Sequence, residues 1–261
     1  MAGNMFRVSG IILIFSVFLM FSGCGKRDKI TKLQQLEGKE FAVPTGTAAD
    51  KLVLSKLPNA KFKYFNSVID ASLAVKAGKA DAVAYDEPIL KNIAAKNSGL
   101  VVLPEMITND NYAFAVQLGK EDLKRDIDLV VSELRKNGGY DDMLRRWLPK
   151  TGNPAAMPDI KSSGSKGVLR LGTAAITEPF SFMDASQNVI GFDIEIARRV
   201  AQKLDMKLEV IDMEFGSLIP ALLAGKVDMI AACITVTDER AKKILFSETY
   251  YTGGIAALVN E

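Results

Sequence analysis

Histidine is absent from all 261 residues, and that gap removes a large block of chemistry. Without imidazole there is no Ser–His–Asp or Cys–His nucleophile, and the commonest metal ligand is missing. Cysteine is almost as scarce, with Cys24 and Cys233 the whole supply. If Cys24 is consumed at the end of an export leader, Cys233 is alone and no intramolecular disulfide is available, even in an exported, disulfide-permissive location. Cys233 sits in an apolar run and reads as a small core residue. Net charge is lacking too. Thirty-three Lys and Arg against 31 Asp and Glu leave +2, and no basic stripe is interleaved with aromatics, so no nucleic-acid partner is expected. No metal or other cofactor is expected either. What remains is 48% hydrophobic and 25% charged, an ordinary globular balance for one or two domains.

The one long apolar run, residues 11–20, is too short for a comfortable membrane span. Arg7 precedes it, and Ser22, Gly23 and Cys24 follow, which is the layout of an export signal. The F-S-G-C ending resembles the lipobox of bacterial lipoproteins, which makes residues 1–24 a signal peptide and Cys24 the acylated (palmitate-bearing) N-terminus. A non-cleaved anchor helix is the alternative. The polar, basic residues 25–35 form a tether.

Beyond the tether, strand and helix signals alternate. Residues 40–44, 61–65 and 80–85 read as strands, residues 48–56 and 68–76 as helices, and residues 45–47 as a glycine turn. Residues 112–116 read as a further strand. Residues 121–136 and 140–147 follow as helices, then a Pro/Gly/Ser-rich linker over 150–167. The alternation then restarts, with strands at 168–172, 208–211 and 227–234 and helices at 192–204 and 218–224. Such spacing predicts an α/β fold with largely parallel sheets. Ala77-Gly78-Lys79-Ala80-Asp81 is echoed by Ala224-Gly225-Lys226-Val227-Asp228, each ending a helix and entering a strand. Two such units, whose strands end in Asp86 on one side and residues 235–240 on the other, predict two lobes around a cleft.

Residues 228–240 are the most informative stretch. An apolar strand delivers Thr235 and Thr237 to a helix start, with Thr237 as N-cap, Asp238 and Glu239 in the first turn and Arg240 third. Hydroxyls, free backbone N–H groups and a guanidinium at one point suit a carboxylate ligand.

Gly191-Phe192-Asp193, F-G-S-L-I-P-A-L-L-A-G-K-V-D from Phe215, I-T-V-T-D-E-R from Ile234 and F-S-E-T-Y-Y from Phe246 together resemble the first lobe of the amino-acid-binding bacterial extracellular solute-binding proteins that serve ABC importers. L-E-G-K-E-F-A-V-P-T-G-T from Leu36 and A-V-A-Y-D-E-P from Ala82 resemble that family's second lobe, and N-G-G-Y-D-D-M-L-R-R-W its C-terminal helix. The resemblance implies a two-lobed periplasmic-binding-protein fold of type II with the order of its parts circularly permuted. Residues 36–111 would be the second lobe, 112–149 the C-terminal part of the first lobe, 150–167 a linker, and 168–261 the N-terminal part of the first lobe, with one covalent crossing left between lobes. A fragment of two tandem domains is the rival.

The resemblance further implies a non-enzymatic, monomeric protein. It would be anchored in the cell envelope through Cys24, facing the periplasm or exterior, and would bind a free amino acid for ABC permease subunits. Arg240 would pair with the ligand α-carboxylate, helped by Thr235 and, from the other lobe, Thr47. Asp86 would take the α-ammonium with a backbone carbonyl near Ala232, beside Cys233, and Phe215 would stack on the side chain. Where many members carry an acid and an aromatic, this chain has Ala174 and Thr177; Thr177 would line the site, and a neutral ligand side chain is expected. A dehydratase-like enzyme, with Glu178 or Glu87 as acid or base, and a ligand-sensing module are the competing functions.

Overall fold

The computed structural model describes Met1, residues 29–149 and residues 156–261. The leader with Cys24 and residues 25–28 of the tether lie outside the described residues, as do residues 150–155 of the linker. The end of the expected tether is instead part of the fold, a 3-10 turn over Leu33–Leu36 whose two leucines are buried in the core. Among the described residues no helix is long and apolar enough to cross a membrane.

The first half runs β1 (Glu40–Pro44), α1 (Ala49–Leu54), β2 (Lys61–Phe65), α2 (Val68–Lys76), β3 (Ala82–Asp86), α3 (Glu87–Lys96), β4 (Leu100–Val102), β5 (Asp110–Tyr112), β6 (Ala115–Gln117), α4 (Glu121–Lys136) and α5 (Gly139–Trp147). The second half runs β7 (Val168–Thr173), β8 (Ile176–Thr177), β9 (Ser181–Met183), β10 (Val189–Ile190), α6 (Phe192–Leu204), β11 (Lys207–Asp212), α7 (Leu218–Leu223), β12 (Met229–Ile230), α8 (Asp238–Ala241), β13 (Ile244–Phe246), β14 (Tyr251–Gly253) and β15 (Ile255–Asn260).

These strands build two five-stranded sheets of the same design, ordered β2-β1-β3-β15-β4 and β11-β7-β12-β6-β13. In each, the first three strands are parallel and the fourth, β15 or β6, runs antiparallel to both neighbours. Burial on both faces explains the composition. Val83 and Ala84, or Ile255 through Val259, are covered whichever way they point. The result is the two-lobed type II architecture, α/β with two mixed sheets.

Each antiparallel strand arrives from the other lobe. The chain passes to the second sheet through β5 and returns through β14, and these two pair antiparallel, Tyr251 opposite Tyr112 and Gly253 opposite Asp110. Two crossings therefore join the lobes, where one was expected. Residues 255–260, expected in the lobe of residues 168–254, complete the sheet of β1 and β3 instead, with Ile255 opposite Asp86. Nothing local in I-A-A-L-V-N specifies a sheet; the choice is made by an open edge between β3 and β4.

Two expected strands are also broken. Residues 112–116 divide into β5 and β6, because the segment changes partners as it changes lobe. Residues 227–234 keep only the two-residue β12: Cys233 adopts φ 51° and turns its N–H onto Asp193 Oδ2 at 3.3 Å, which ends the ladder. The helices α4 and α5 belong with the second sheet. Ile127, Val130, Val131 and Leu134 form the buried stripe of α4, and α5 is fastened to α6 through Glu195, which is fully buried. That carboxylate accepts from Arg146 at 2.8 and 2.9 Å, from Trp147 Nε1 at 2.7 Å and from Arg199 at 2.7 Å. A buried charge is tolerable when its lone pairs are filled this fully.

Candidate functional site

The C-terminal ends of β1 and β3 face the segment that follows β12, and a cavity of about 10 Å³ lies between them. Thr47, Ala48, Ala49, Tyr85, Asp86 and Ile255 line it from one lobe, and Phe215, Cys233, Thr235 and Arg240 from the other. Of the eight site residues expected from sequence, six therefore converge here: Arg240, Asp86, Thr235, Thr47, Phe215 and Cys233. Ala232 and Thr177 do not. Ala232 is fully buried in the apolar cluster under the second sheet. Thr177 spends its hydroxyl within its own hairpin, donating to the Ala174 and Ser181 carbonyls at 3.1 and 3.3 Å.

Asp86 is the last residue of β3 and only 5% exposed. Desolvation pushes its carboxyl up to about 7, an effect that nearby Asp110 reinforces and that a hydrogen bond donated by Tyr112 Oη and the charge of Arg240 oppose. Arg240 stands on the four-residue α8, whose N-cap Thr237 accepts from the Arg240 N–H at 3.3 Å, as the sequence signature predicts. Its guanidinium lies over the Phe215 ring, 5.6 Å from the centroid, and donates to the Thr235 carbonyl at 2.9 Å. Burial lowers its pKa, and the charge of Asp86 raises it part of the way back. Thr47 donates to the Pro44 carbonyl at 2.9 Å, which shapes the turn after β1.

The lobes are held close around this cavity. Arg240 Nη2 reaches the Gly46 carbonyl of the other lobe at 3.5 Å, and Lys51 pairs with Glu239 beside it. On another side of the cleft Lys96 pairs with Glu178, whose carbonyl accepts from Asn92 Nδ2 at 3.5 Å. Gly46 has φ 80°, and a Cβ there would stand 2.7 Å from the Gly216 Cα, so backbone meets backbone across the rim. A space of about 10 Å³ holds roughly one water, so anything larger enters only when the lobes separate. The acids considered for catalysis are engaged elsewhere, Glu178 with Lys96 and Glu87 with Lys91.

Sequence reasoning missed Tyr85, Ile255 and the two alanines of the lining, which carry no polar signature. It also gave no role to Asp193. That residue is fully buried, and desolvation pushes its carboxyl up to about 7 against the opposing effect of the Tyr250 hydroxyl and the Cys233 N–H. The Gly191-Phe192-Asp193 motif was the available signal. Desolvation also raises the buried Cys233 thiol well above its ordinary range, which keeps it neutral.

Comparison with known proteins finds likeness over part of the chain. The family model for bacterial extracellular solute-binding proteins, family 3, matches residues 169–261. The arginine-binding extracellular protein ArtP of Bacillus subtilis is 42% identical over 91 residues, 35% of this chain and 35% of ArtP. The ABC transporter glutamine-binding protein GlnH of the same organism is 26% identical over 124 residues, 47% of this chain and 45% of GlnH. A truncated, arginine-bound ArgBP from T. maritima aligns at 42% identity with a TM-score of 0.29, covering 30% of this chain and 37% of that one. The match spans about a third to a half of the length of these relatives. The likeness to the bacterial extracellular solute-binding proteins, family 3, is thus carried by residues 169–261.

Proposed function

We propose that this protein is a lipid-anchored binding protein of the cell envelope that captures a free amino acid with a neutral side chain and presents it to the permease of an ABC importer. The observation that carries the reading is the meeting of Asp86 and Arg240, one from each lobe, at a single interlobe cavity. An α-amino acid carries the complementary pair of charges a few ångströms apart. Arg240 takes the carboxylate with Thr235 and Thr47, Asp86 takes the ammonium, and Phe215 covers the side chain. Among the described residues Asp86 is the only carboxylate lining the cavity, and it is committed to the ammonium, which disfavours lysine or arginine as ligand. Closure buries both ligand charges against matching protein charges and so couples binding to the shape a permease reads.

The chain order is read as a circular permutation, with the lobe boundaries at 36–111, 112–149 and 168–261 amended by the pairing of residues 255–260 with the second lobe, that of residues 36–111. The match of the family model to residues 169–261, the stretch assigned to the N-terminal part of the family's first lobe, supports this reading.

The test is thermal unfolding of the chain from residue 25 onward against the standard amino acids, with Arg240→Ala as control. Binding to the folded state alone raises the midpoint by mass action. A rise with one or more neutral amino acids, lost in the variant, is the expected outcome. Arginine or lysine binding more tightly than every neutral amino acid in calorimetry would overturn the side-chain assignment, and no rise with any of them would overturn the ligand class.

A further inference from the structure

We propose that Tyr112 is a positioning residue for the site: its hydroxyl holds the Asp86 carboxylate in place and ties it to both strands that join the lobes. The inference rests on the reading of Asp86 as the ammonium partner and assigns that partner its own support. Tyr112 ends β5, the outgoing crossing, and is fully buried. Its hydroxyl uses both of its capacities. It donates to Asp86 Oδ1, and it accepts from the Gly254 N–H at 3.0 Å, between β14 and β15 on the returning crossing. One phenolic oxygen thus joins the acid at the end of β3 to both ligaments of the molecule.

The surroundings leave this ring little freedom. It stacks on Tyr251 at 5.8 Å between centroids and 18° between planes, and meets Phe180 edge-on at 6.3 Å. A Cβ on Gly253 would lie 2.9 Å from the Tyr112 hydroxyl, and one on Gly254 (φ 155°) would lie 2.0 Å from the Thr108 carbonyl oxygen. The two glycines therefore admit the ring and deliver the N–H that it accepts. Asp86 is the N-cap residue of α3, yet its side chain does not cap that helix; the carboxylate is turned to Tyr112 and the cavity instead. A carboxylate with one oxygen fixed by a phenol keeps the other for an ammonium ligand.

The hydroxyl also favours the ionised carboxylate, the form that an ammonium requires. The other titratable or charged groups facing Asp86 are Arg240 from α8, Asp110 from β5, Asp193 from α6, Tyr85 from β3, Tyr251 from β14, and Cys233. Arg240 supports the anion, whereas Asp110 and Asp193 oppose it.

Tyr112→Phe keeps the ring and removes only the hydroxyl. Three quantities are to be measured on the wild type, Tyr112→Phe and Asp86→Asn. They are calorimetric affinity for L-glutamine and L-arginine from pH 5.5 to 9, the Asp86 carboxyl titration by ¹³C NMR in the two proteins that retain it, and hydrogen exchange at the Gly254 amide. In Tyr112→Phe the Asp86 titration is expected to move to higher pH and Gly254 to lose protection. Affinity should fall about tenfold at pH 7, with the deficit shrinking toward pH 9 as the carboxyl ionises. A role in packing alone would lower affinity equally at every pH, and that result overturns the proposal. So does an unchanged Asp86 titration with an unchanged Gly254 exchange rate, whether or not either probe binds. Affinity retained in Asp86→Asn overturns the site reading instead, while loss there with wild-type behaviour in Tyr112→Phe overturns only the role of Tyr112.

Discussion

Residues 77–86 and residues 224–240 begin alike and end as opposites. Gly78 and Gly225 close their helices at φ 70° and 68°. Asp81 and Asp228 then do the same work: each N–H donates to the first strand of its sheet, at 2.8 Å to the Glu40 carbonyl and 2.9 Å to the Arg170 carbonyl, and each carboxylate accepts that residue's N–H, at 3.0 and 2.8 Å. From there they diverge. β3 continues as five buried residues and ends directly in Asp86, so the acid is fixed by a sheet. β12 stops after two residues, turns at Cys233, and reaches Arg240 only by way of a single helical turn. One repeated unit thus yields a rigid anionic pole and a longer-armed cationic one. Where the backbone leaves the ladder decides which.

Breaking either pole is expected to have the largest effect. Asp86→Asn and Arg240→Ala should each weaken amino-acid binding at least about 30-fold in calorimetry, since truncating one partner leaves a buried charge without its match. Arg240→Lys should recover less than Asp86→Glu, because the guanidinium serves as a fork to two carbonyls in addition to its charge. Equal recovery would erase the distinction between a fixed and an adaptable pole.

Next comes the rim. Gly46→Ala introduces a Cβ against the Gly216 Cα and into a left-handed conformation. The lobes should then stand further apart in small-angle scattering, with affinity down roughly tenfold, of the order expected for a strained backbone contact. Gly216→Ala should be milder, because its Cβ would find the Thr45 carbonyl at an ordinary 3.7 Å.

A smaller effect separates stability from binding. Asp86 and Asp193 both titrate near 7 in the fold and near 3.8 when unfolded. The folded state therefore holds more protons between those values, and their contribution to stability is full below about 4 and lost as pH rises through 7. The unfolding midpoint should fall from pH 4.5 to 7.5 and flatten in Asp193→Asn, whereas amino-acid binding, which needs Asp86 ionised, should strengthen over the same range. The smallest effect is reserved for Lys51→Ala. The Lys51–Glu239 pair bridges the lobes but its side chains are 68% and 63% exposed, so affinity should change less than about threefold, and less still at high salt.

The parts of the site legible in the sequence were those written locally. The Thr237 cap, the third-position Arg240 and the glycine–aspartate echo are short-range patterns, and the structure realises each as a short-range contact. Asp86 was legible as the end of an apolar strand, and its expected part in the site came from the family resemblance. The rest depended on partners far along the chain. The pairing of Tyr112 with Asp86 spans 26 residues and exists only because β5 leaves one lobe beside β14. The return of residues 255–260 to the first sheet is equally invisible, since a strand buried on both faces suits either sheet. Thr177 was misplaced for the converse reason: its hydroxyl was satisfied within four residues, by a hairpin that sequence alone did not reveal.

The paired crossing strands bear on how such a molecule moves. A single connecting segment is a swivel, free to twist as well as to bend. Two antiparallel segments joined by their own hydrogen bonds form a ribbon, which flexes across its plane and resists torsion within it. Movement of the lobes is thereby reduced toward one rotation about one axis, like a door on a leaf hinge. Asp86 and Arg240 would return to the same alignment at each closure, and the cavity would admit its cargo from a single side.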